Sequence, residues 1–236
     1  MTHTAPSREE EKRRAAHYAL SLVQDGMILG LGSGSTAAYF VEFLGRALQE
    51  GVLQHVIGIP TSTQTEALAR AWGIPLGSLD EYPELDLAVD GADEVDPQLN
   101  LLKGRGRALV REKIVAVHAR HFVIIVDESK WVTRLGTTGP LPVEVLPFGA
   151  QATARWLRSL GCSGKFLYNE DGTLYISDNG HYLYFCTFDE GIEDPYGLAT
   201  LLKQRPGVVD HGLFLDMAHT VIVGTATGVE VRERPR

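Results

Sequence analysis

Four short segments of the chain combine residue types that could do chemistry. The first is Gly30-Leu31-Gly32-Ser33-Gly34-Ser35-Thr36. Glycines let backbone N–H groups approach an anion, the start of a following helix adds its dipole, and hydroxyl groups add donors. A Rossmann dinucleotide fingerprint needs glycine at position 35, which is serine here, and the Gly-Lys-Ser/Thr ending of a Walker A loop is absent. The segment predicts a phosphate site, with a serine-capped tight turn as the alternative.

The second segment is acidic: Asp90-Gly91-Ala92-Asp93-Glu94, with Asp96 close behind. Asp90 ends an apolar run, where an ionised side chain is costly unless it has a partner. Carboxylates that lie close together can have their pKa values pushed apart, which suits acid/base catalysis. Metal binding is the alternative because hard cations prefer such clusters. No histidine or further acidic residue stands at a recognisable metal-ligand spacing, so acid/base chemistry is the favoured interpretation.

The third segment is basic and glycine-rich: Leu102-Lys103-Gly104-Arg105-Gly106-Arg107, followed by Arg111-Glu112-Lys113. Lys103, beside two glycines, could present its ammonium group to an oxyanion or a phosphate. Glu112 falls in the first turns of a predicted helix, where glutamate usually reflects only a helix-start preference. Taken alone, Glu112 therefore carries no functional prediction.

The fourth segment is Asp127-Glu128-Ser129-Lys130, at the end of another apolar run. A lone lysine there is usually solvated, and Lys130 gains interest only because it shares a sheet edge with the other segments. His118 and His121 superficially suggest a metal pair. They straddle a predicted helix end and a strand start, so we expect them to face different ways.

Alternating strands and helices must position these segments. Periodicity predicts strands at 27–31, 56–59, 85–89 and 122–126, and helices at 9–24, 36–48, 64–72 and 109–118. Continuous apolar strands alternating with helices are typical of a parallel sheet covered on both faces. Ligands bind such sheets at the carboxyl ends of the strands, and three of the four segments follow a predicted strand directly. We therefore expect one site at that edge.

The pattern changes near Pro140. Strands are predicted at 141–147, 181–188 and 208–215, a hairpin at 165–168 and 173–177, and helices at 150–160 and 196–203. This order predicts a split βαβ, ferredoxin-like unit, with residues 220–224 returning to the main sheet. The predicted fold is α/β: a Rossmann-like parallel sheet flanked by helices (1–139 and 216–236) with an inserted smaller ferredoxin-like α+β domain (140–215).

Composition limits the classes of partner. The net charge is −8, from 30 acidic and 22 basic residues, which argues against a nucleic-acid surface. No apolar run is long enough to span a bilayer, and residues 1–14 lack the apolar core of a signal peptide. Cys162 and Cys186 are expected to be free thiols in a reducing cytosol. We expect a cytoplasmic protein without membrane or nucleic-acid partners. Exposed sheet edges and an inserted domain favour a homodimer or higher homo-oligomer.

Together these segments resemble the ribose-5-phosphate isomerase A family. The resemblance covers nearly the whole chain, in order and at family-like spacing. The matching stretches are Gly32-Ser33-Gly34-Ser35-Thr36-Ala37-Ala38, Asp90-Gly91-Ala92-Asp93-Glu94, Lys103-Gly104-Arg105-Gly106, Arg111-Glu112-Lys113-Ile114, Ser129-Lys130, Pro140-Leu141-Pro142-Val143-Glu144-Val145, Pro206-Gly207-Val208-Val209 and His211-Gly212-Leu213-Phe214.

The resemblance implies an enzyme that interconverts D-ribose 5-phosphate and D-ribulose 5-phosphate through an enediolate, in the non-oxidative pentose phosphate pathway, with no metal or other cofactor. It implies that Glu112 is the proton-transfer base, that Asp90 and Lys103 line the reacting end, and that Asp93 assists ring opening. Lys12 is a further candidate for the phosphate. The implied substrate-binding residues are Ser33, Gly34, Ser35, Thr36, Asp90, Gly91, Ala92, Asp93, Lys103, Gly104, Arg105, Gly106 and Lys130.

One departure and two alternative functions accompany the resemblance. Arg105 and Arg107 stand where the family usually has glycine or small residues, and we expect them either to be solvated or to add positive potential near the phosphate. One alternative is a coenzyme A transferase, in which a glutamate attacks a thioester and which needs a larger groove. The other is a sugar-phosphate sensor, which usually carries a DNA-binding helix-turn-helix module.

Overall fold

The computed structural model describes residues 7–234, which fold into thirteen strands and six helices. In chain order the strands are β1 Ile28–Leu31, β2 Ile57–Pro60, β3 Leu87–Asp90, β4 Glu94–Val95, β5 Leu101–Leu102, β6 Phe122–Asp127, β7 Leu141–Val145, β8 Ser163–Phe166, β9 Tyr182–Thr187, β10 Val208–His211, β11 Leu213–Phe214, β12 Thr220–Gly224 and β13 Val229–Glu233. The helices are α1 Arg8–Leu20, α2 Ser35–Gln49, α3 Thr63–Ala71, α4 Leu109–His118, α5 Ala150–Ser159 and α6 Pro195–Gln204, with a 3-10 turn at Glu128–Lys130.

The chain divides into two compact units. The first contains residues 7–92, Arg111–Lys130 and residues 217–234, and the second contains Asp93–Val110 and Trp131–Asp216. Residues 93–110 and 131–139 were predicted to belong with the first unit and instead group with the second. The reason is strand pairing: β4 and β5 form a small sheet with β11.

The first unit is built on a six-stranded sheet in the order β13-β12-β6-β3-β1-β2. All neighbours are parallel except β12 and β13, which are antiparallel. Strands β3, β6 and β12 are buried along their whole length, as expected for continuous apolar runs covered on both faces. The core includes Leu29, Val89 and Ile125 of the sheet together with Phe40 and Leu44 of α2. The predicted parallel sheet flanked by helices is confirmed.

The second unit contains a four-stranded antiparallel sheet in the order β10-β7-β9-β8. Counted within the inserted segment, this order is 4-1-3-2 with a helix after the first and third strands, which is the ferredoxin-like arrangement that the sequence predicts. Its core includes Val143 and Tyr184 of the sheet, Leu157 of α5 and Leu202 of α6.

Two predicted elements differ from the structure. The hairpin predicted at 165–168 and 173–177 is present only as a short turn: the Asn169 N–H donates to the Thr173 carbonyl at 2.8 Å, and Tyr168 and Leu174 form an antiparallel bridge. Residues 173–177 form no continuous strand, and β8 pairs with β9. The predicted strand 208–215 is divided at Gly212. A Cβ at Gly212 would lie 2.1 Å from the carbonyl oxygen of Lys103, so the backbone passes closely there, and β10 and β11 join different sheets.

Candidate active site

The turn between β1 and α2 requires glycine because of close backbone contacts. A Cβ on Gly30 would lie 2.5 Å from a Val115 methyl group, and a Cβ on Gly32 would lie 2.2 Å from Asp90 Oδ1. Gly34 has a φ of 98°, a conformation that side chains with a Cβ rarely adopt. Gly34 is also the N-cap of α2, which has no side-chain cap, so the turn presents an uncapped helix start.

Asp90 is held against this turn. It is the last residue of β3 and is 2% exposed. Its Oδ1 atom accepts hydrogen bonds from the backbone N–H groups of Ser33 at 3.0 Å and Gly91 at 2.7 Å. These bonds fix the carboxylate relative to the glycine-rich turn and offset the cost of burying it.

Glu112 shares a cavity with Asp90. It lies in the first turn of α4 and is 3% exposed. A small cavity of the first unit is lined by both carboxyl-bearing residues, by Gly30 and Gly32 of the turn, and by Thr61, Ala88, Val89, Val115 and Phe122. Two of the predicted catalytic residues therefore lie at one place, beside the predicted phosphate loop.

Lys12 places a cation at the start of α2. It lies on α1, whose first turn is fixed by a capping box between Ser7 and Glu10. Lys12 Nζ donates to Glu9 Oε1 at 2.8 Å and to Ser35 Oγ at 3.1 Å. The hydrogen bond from Lys12 lowers the pKa of Glu9. The side chain suspected from the sequence thus does lie at the glycine-rich turn.

Lys130 ends the short 3-10 turn that follows β6, and it is partly buried. The preceding Asp127 is 1% exposed and accepts hydrogen bonds from the backbone N–H of Ser129 at 3.1 Å and from the Ser129 hydroxyl. Asp127 therefore stabilises the turn that presents Lys130 at the carboxyl end of β6. Gly91 and Ala92 follow β3 in the same way and are also partly buried.

Lys103 belongs to the second unit and is 2% exposed. Its backbone N–H donates to the Gly212 carbonyl at 2.8 Å, and its Nζ lies 5.5 Å from the centre of the Phe214 ring. The following Gly104 has a φ of 100°, and a Cβ there would lie 2.7 Å from the Leu109 side chain. A buried ammonium group with a cation–π contact is strongly attracted to a nearby anion. Gly106, two residues on, is exposed.

Glu94 and Arg105 form a buried ion pair, which corrects the expectation for Arg105. Arg105 Nη2 donates to Glu94 Oε1 at 2.6 Å, so the partly buried guanidinium is paired with a fully buried carboxylate and is not left free in solvent. The Thr138 backbone N–H donates to the same oxygen at 2.8 Å, and the Gly136 N–H donates to Oε2 at 2.5 Å. Burial would raise the pKa of Glu94, but the hydrogen bonds from Thr138, Arg105 and Gly136 outweigh it and lower that pKa.

The acidic segment is therefore not one cluster of equivalent carboxylates. Asp93 Oδ2 accepts from the backbone N–H of Arg105 at 2.9 Å. Asp96 Oδ1 accepts from the backbone N–H groups of Gln98 and Asn100 at 2.9 and 2.8 Å and closes a loop. Across residues 7–234 there is no group of three or more His, Cys, Asp or Glu side chains placed to hold a metal ion.

Three other features singled out in the sequence have ordinary structural surroundings. The Arg107 guanidinium lies 4.8 Å from the centre of the Tyr175 ring. His118 Nδ1 lies 2.8 Å from the Pro83 carbonyl oxygen, whereas His121 Nε2 lies 2.9 Å from Thr220 Oγ1, so the two histidines have different partners as expected. Both cysteines, Cys162 and Cys186, are free and buried.

No helix within residues 7–234 is long and apolar enough to cross a membrane.

The sequence interpretation missed the hydroxyl groups of the turn between β2 and α3. These residues lie outside the four segments singled out in the sequence, and Ser62 caps α3 by accepting from the Thr65 N–H at 3.0 Å. In addition, the hydroxyls of Thr61, Ser62 and Thr65 all lie within 3.0 Å of Ser33 Oγ. The run Pro60-Thr61-Ser62-Thr63, with three hydroxyl residues at the end of a predicted strand, was the sequence signal that could have revealed this group.

Comparison with known proteins gives consistent matches. The family model of ribose 5-phosphate isomerase A (phosphoriboisomerase A) matches residues 57–228. The chain is 53% identical to ribose-5-phosphate isomerase A of Thermomicrobium roseum over 229 residues, covering 97% of this chain and 95% of the relative. It is 46% identical to the enzyme of the same name from Thermococcus kodakarensis over 228 residues, covering 96% of this chain and 99% of the relative.

Solved structures agree over the full length. A D-ribose-5-phosphate isomerase in complex with phospho-erythronic acid superposes with a TM-score of 0.94 at 42% identity, covering 97% of this chain and 100% of that one. Ribose 5-phosphate isomerase from Plasmodium falciparum superposes with a TM-score of 0.93 at 40% identity, with the same coverage. These matches give no support to a coenzyme A transferase or a sensor. The resemblance of the motifs is confirmed, and the chain belongs to the ribose-5-phosphate isomerase A family.

Proposed function

We propose that this chain interconverts D-ribose 5-phosphate and D-ribulose 5-phosphate, with Glu112 as the base. One observation carries the proposal: Glu112 and Asp90 line a single cavity beside a glycine-rich turn that ends in an uncapped helix start. Family membership supports the same reaction. The relative solved with phospho-erythronic acid supports a phosphorylated sugar chain as the class of ligand.

The proposed reaction needs one carboxylate and no change of oxidation state overall. Glu112 removes the proton from C2 of the open-chain aldose, and the electron pair of that C–H bond forms the C1–C2 double bond while the carbonyl electrons move onto O1. The same carboxyl group returns the proton to C1, and the proton of the O2 hydroxyl finishes on O1. A base that takes a proton and returns it one carbon away is sufficient for this exchange.

We assign stabilisation of the enediolate to Lys103. Its ammonium group is buried, and a cation in a low-dielectric site stabilises a developing oxyanion far more than it would in water. Asp93 and Asp90 are proposed to bind sugar hydroxyls and to assist opening of the ring. Which of the two opens the ring is a question for separate Asp→Asn variants.

We assign the phosphate to the start of α2. The supporting features are the N–H groups of the uncapped helix, the exposed hydroxyl of Ser35 and the ammonium group of Lys12 beside it. Phosphate binding far from the reacting carbons lets its binding energy position the substrate. The further proposed substrate contacts are Gly34, Thr36, Gly91, Ala92, Gly104, Arg105, Gly106 and Lys130, whereas the hydroxyl of Ser33, also expected from the sequence, donates to Ser62.

Glu112→Gln tests the role of the base. The amide cannot accept the C2 proton, so we expect kcat for ribose 5-phosphate to fall by about 10²- to 10⁴-fold. The dissociation constant of phospho-erythronic acid should stay within about twofold, because no proton moves when it binds. Turnover in D₂O should place deuterium at C1 in the wild type and not in the variant. Glu42→Gln, on α2 of the same unit, is the matched control. A Glu112→Gln enzyme with near-normal turnover would remove Glu112 from this role.

We further propose that the chain acts as a homodimer or higher homo-oligomer in the cytoplasm, within the non-oxidative pentose phosphate pathway. The exposed edge strand β13 supports self-association, since an unpaired strand edge is a common site of pairing. The free, buried Cys162 and Cys186 suit a reducing compartment. Sedimentation at several protein concentrations tests the oligomeric state, and a monomer at all concentrations would contradict it.

A further inference from the structure

Ser33 lies at the centre of a group of four hydroxyls. Its Oγ atom is 2.8 Å from Thr61 Oγ1, 2.7 Å from Ser62 Oγ and 3.0 Å from Thr65 Oγ1. Thr61 and Ser62 belong to the β2–α3 turn and Thr65 to the first turn of α3, and the three residues are 2%, 7% and 5% exposed. The two turns are neighbours because β1 and β2 pair in parallel, with Leu31 opposite Pro60.

The protons of this group have a definite order, since each hydroxyl has one proton to donate. Thr65 Oγ1 donates to the Gly32 carbonyl at 3.0 Å, and Thr61 Oγ1 donates to the Leu31 carbonyl at 3.0 Å. Ser62 Oγ donates to Thr65 Oγ1 at 3.0 Å. Because each of these three hydroxyls already donates its one proton, the hydroxyl of Ser33 must be the donor in its bond with Ser62 Oγ. The chain of bonds begins at Ser33 and returns to the backbone of Gly32, in the same loop.

Both hydrogen-bond donors of Ser33, its hydroxyl and its backbone N–H, therefore have acceptors within the protein. Its hydroxyl points into the β2–α3 turn, and its backbone N–H donates to Asp90 Oδ1 at 3.0 Å. Ser35, two residues later, is exposed at the start of α2 and lies beside Lys12. The two serines of the loop therefore have different surroundings: one faces the interior of the unit and the other faces solvent.

We propose that Thr61, Ser62 and Thr65 are positioning residues that hold the phosphate loop, and that Ser33 links this loop to Asp90 instead of donating to the phosphate. The proposal deepens the isomerase function above and rests on it. It predicts that changes in the β2–α3 turn, which need not touch the substrate, alter both phosphate affinity and turnover.

Thr65→Val is the first test because it removes the hydroxyl and keeps the shape. We expect KM for ribose 5-phosphate and the dissociation constant of inorganic phosphate to rise by roughly three- to tenfold, the equivalent of one neutral hydrogen bond. We also expect kcat to fall, because the Ser33 N–H that donates to Asp90 is then held less firmly. Thr65→Ser should restore both values. A purely structural role would lower the melting temperature and leave the dissociation constant unchanged.

A double-mutant cycle of Ser33→Ala and Thr65→Val distinguishes two roles of Ser33: holding the loop through Thr65, or donating directly to the phosphate. If Ser33 and Thr65 act through one chain of bonds, the double variant should bind phosphate little worse than either single variant. Additive effects would mean that Ser33 contacts phosphate independently and would overturn the proposal. Thr65→Val with a dissociation constant within twofold of the wild type would also overturn it.

Two further variants keep the result clear. Ser62→Gly removes the second hydroxyl of the chain but preserves most of the cap, since glycine is tolerated at an N-cap, and it replaces Thr65→Val if that variant does not fold. Thr153→Val is the matched control: Thr153 is a buried threonine of the second unit whose hydroxyl bonds to the Gly149 carbonyl. A wild-type protein without isomerase activity would refute the proposed function, whereas the phosphate-binding cycle would still decide the role of Ser33.

Discussion

Two neighbouring strand-to-helix turns of the first unit start their helices differently. The β1–α2 turn begins its helix after Gly34, which has a φ of 98° and provides no side-chain cap. The β2–α3 turn begins its helix after Ser62, whose hydroxyl accepts from the Thr65 N–H at 3.0 Å. The strands are parallel partners, so the two helix starts share an edge of the sheet.

The difference shows that a strand-to-helix turn can serve in either of two ways: it can bind an anion at its helix start, or it can hold the adjacent turn in place. A capped helix start satisfies its first N–H groups internally, and the β2–α3 turn uses its remaining hydroxyls to hold Ser33. An uncapped start keeps its N–H groups and its dipole for an external anion. We therefore expect phosphate to bind at α2 and not at α3, and three changes test this contrast.

The largest effect is expected for Ser35→Asp, at the first residue of α2. A carboxylate there would lie where the phosphate is proposed to bind, and repulsion of about 4 kcal/mol between unit charges at contact distance near a protein surface corresponds to roughly a hundredfold or more in affinity. Thermal stability should be kept or raised, because an acidic residue suits a helix start. The measurements are calorimetric binding of inorganic phosphate and thermal unfolding.

Thr63→Asp is the matched control, since Thr63 is the first residue of α3 and is also exposed. It places the same charge at the capped helix start. Equal loss of phosphate binding in both variants would remove the contrast between the turns.

Gly34→Ala should have an intermediate effect. A Cβ at Gly34 would meet no atom within 4 Å, so the penalty comes only from the backbone conformation and should be about 1–3 kcal/mol of unfolding free energy. The phosphate affinity should fall as the loop relaxes. Urea unfolding and phosphate titration measure the two effects. Gly51→Ala is the control, because Gly51 also has a positive φ and open surroundings but follows the end of α2. A Gly34→Ala protein as stable as the wild type would contradict the assignment.

Lys12→Met should have the smallest effect of the three. The Lys12 side chain is 15% exposed, but it already pairs with the exposed Glu9. Pairs open to solvent contribute about 1 kcal/mol or less, so the dissociation constant of phosphate should rise by no more than roughly fivefold. The increase should shrink at high salt, where such interactions are screened. Arg70→Met on α3 removes a comparable cation as a control. An effect of Lys12→Met that is independent of salt would argue against electrostatic attraction.

The fold was largely predictable because its strands are apolar runs and its helices have regular periodicity. The strands that were missed lack these signals: β4 and β5 have two residues each, and β13 is an exposed edge. The alternation of Val229 and Val231 with charged residues could have revealed β13. The hairpin predicted at 165–168 and 173–177 is correct at its turn but not in its strand at 173–177, because local sequence does not determine which strand β8 pairs with.

The site was predictable to the extent that each residue follows a strand or starts a helix. The proximity of Asp90, Glu112 and the glycine-rich turn follows from a parallel sheet, where strand ends meet at one edge. The partners of side chains were not predictable. Glu94 and Arg105 are separated along the chain by the short β4–β5 pair of strands, and nothing in their local sequence indicates that the arginine at position 105 pairs with a buried carboxylate.

The ion pair of Glu94 and Arg105 also restricts position 139. A Cβ on Gly139 would lie 2.8 Å from the guanidinium carbon of Arg105, so this glycine makes the space that the arginine occupies. A larger residue at position 139 would therefore displace the guanidinium group and disturb its hydrogen bond to Glu94. Protein engineering that is meant to keep this ion pair should therefore keep a glycine at position 139 whenever position 105 is arginine.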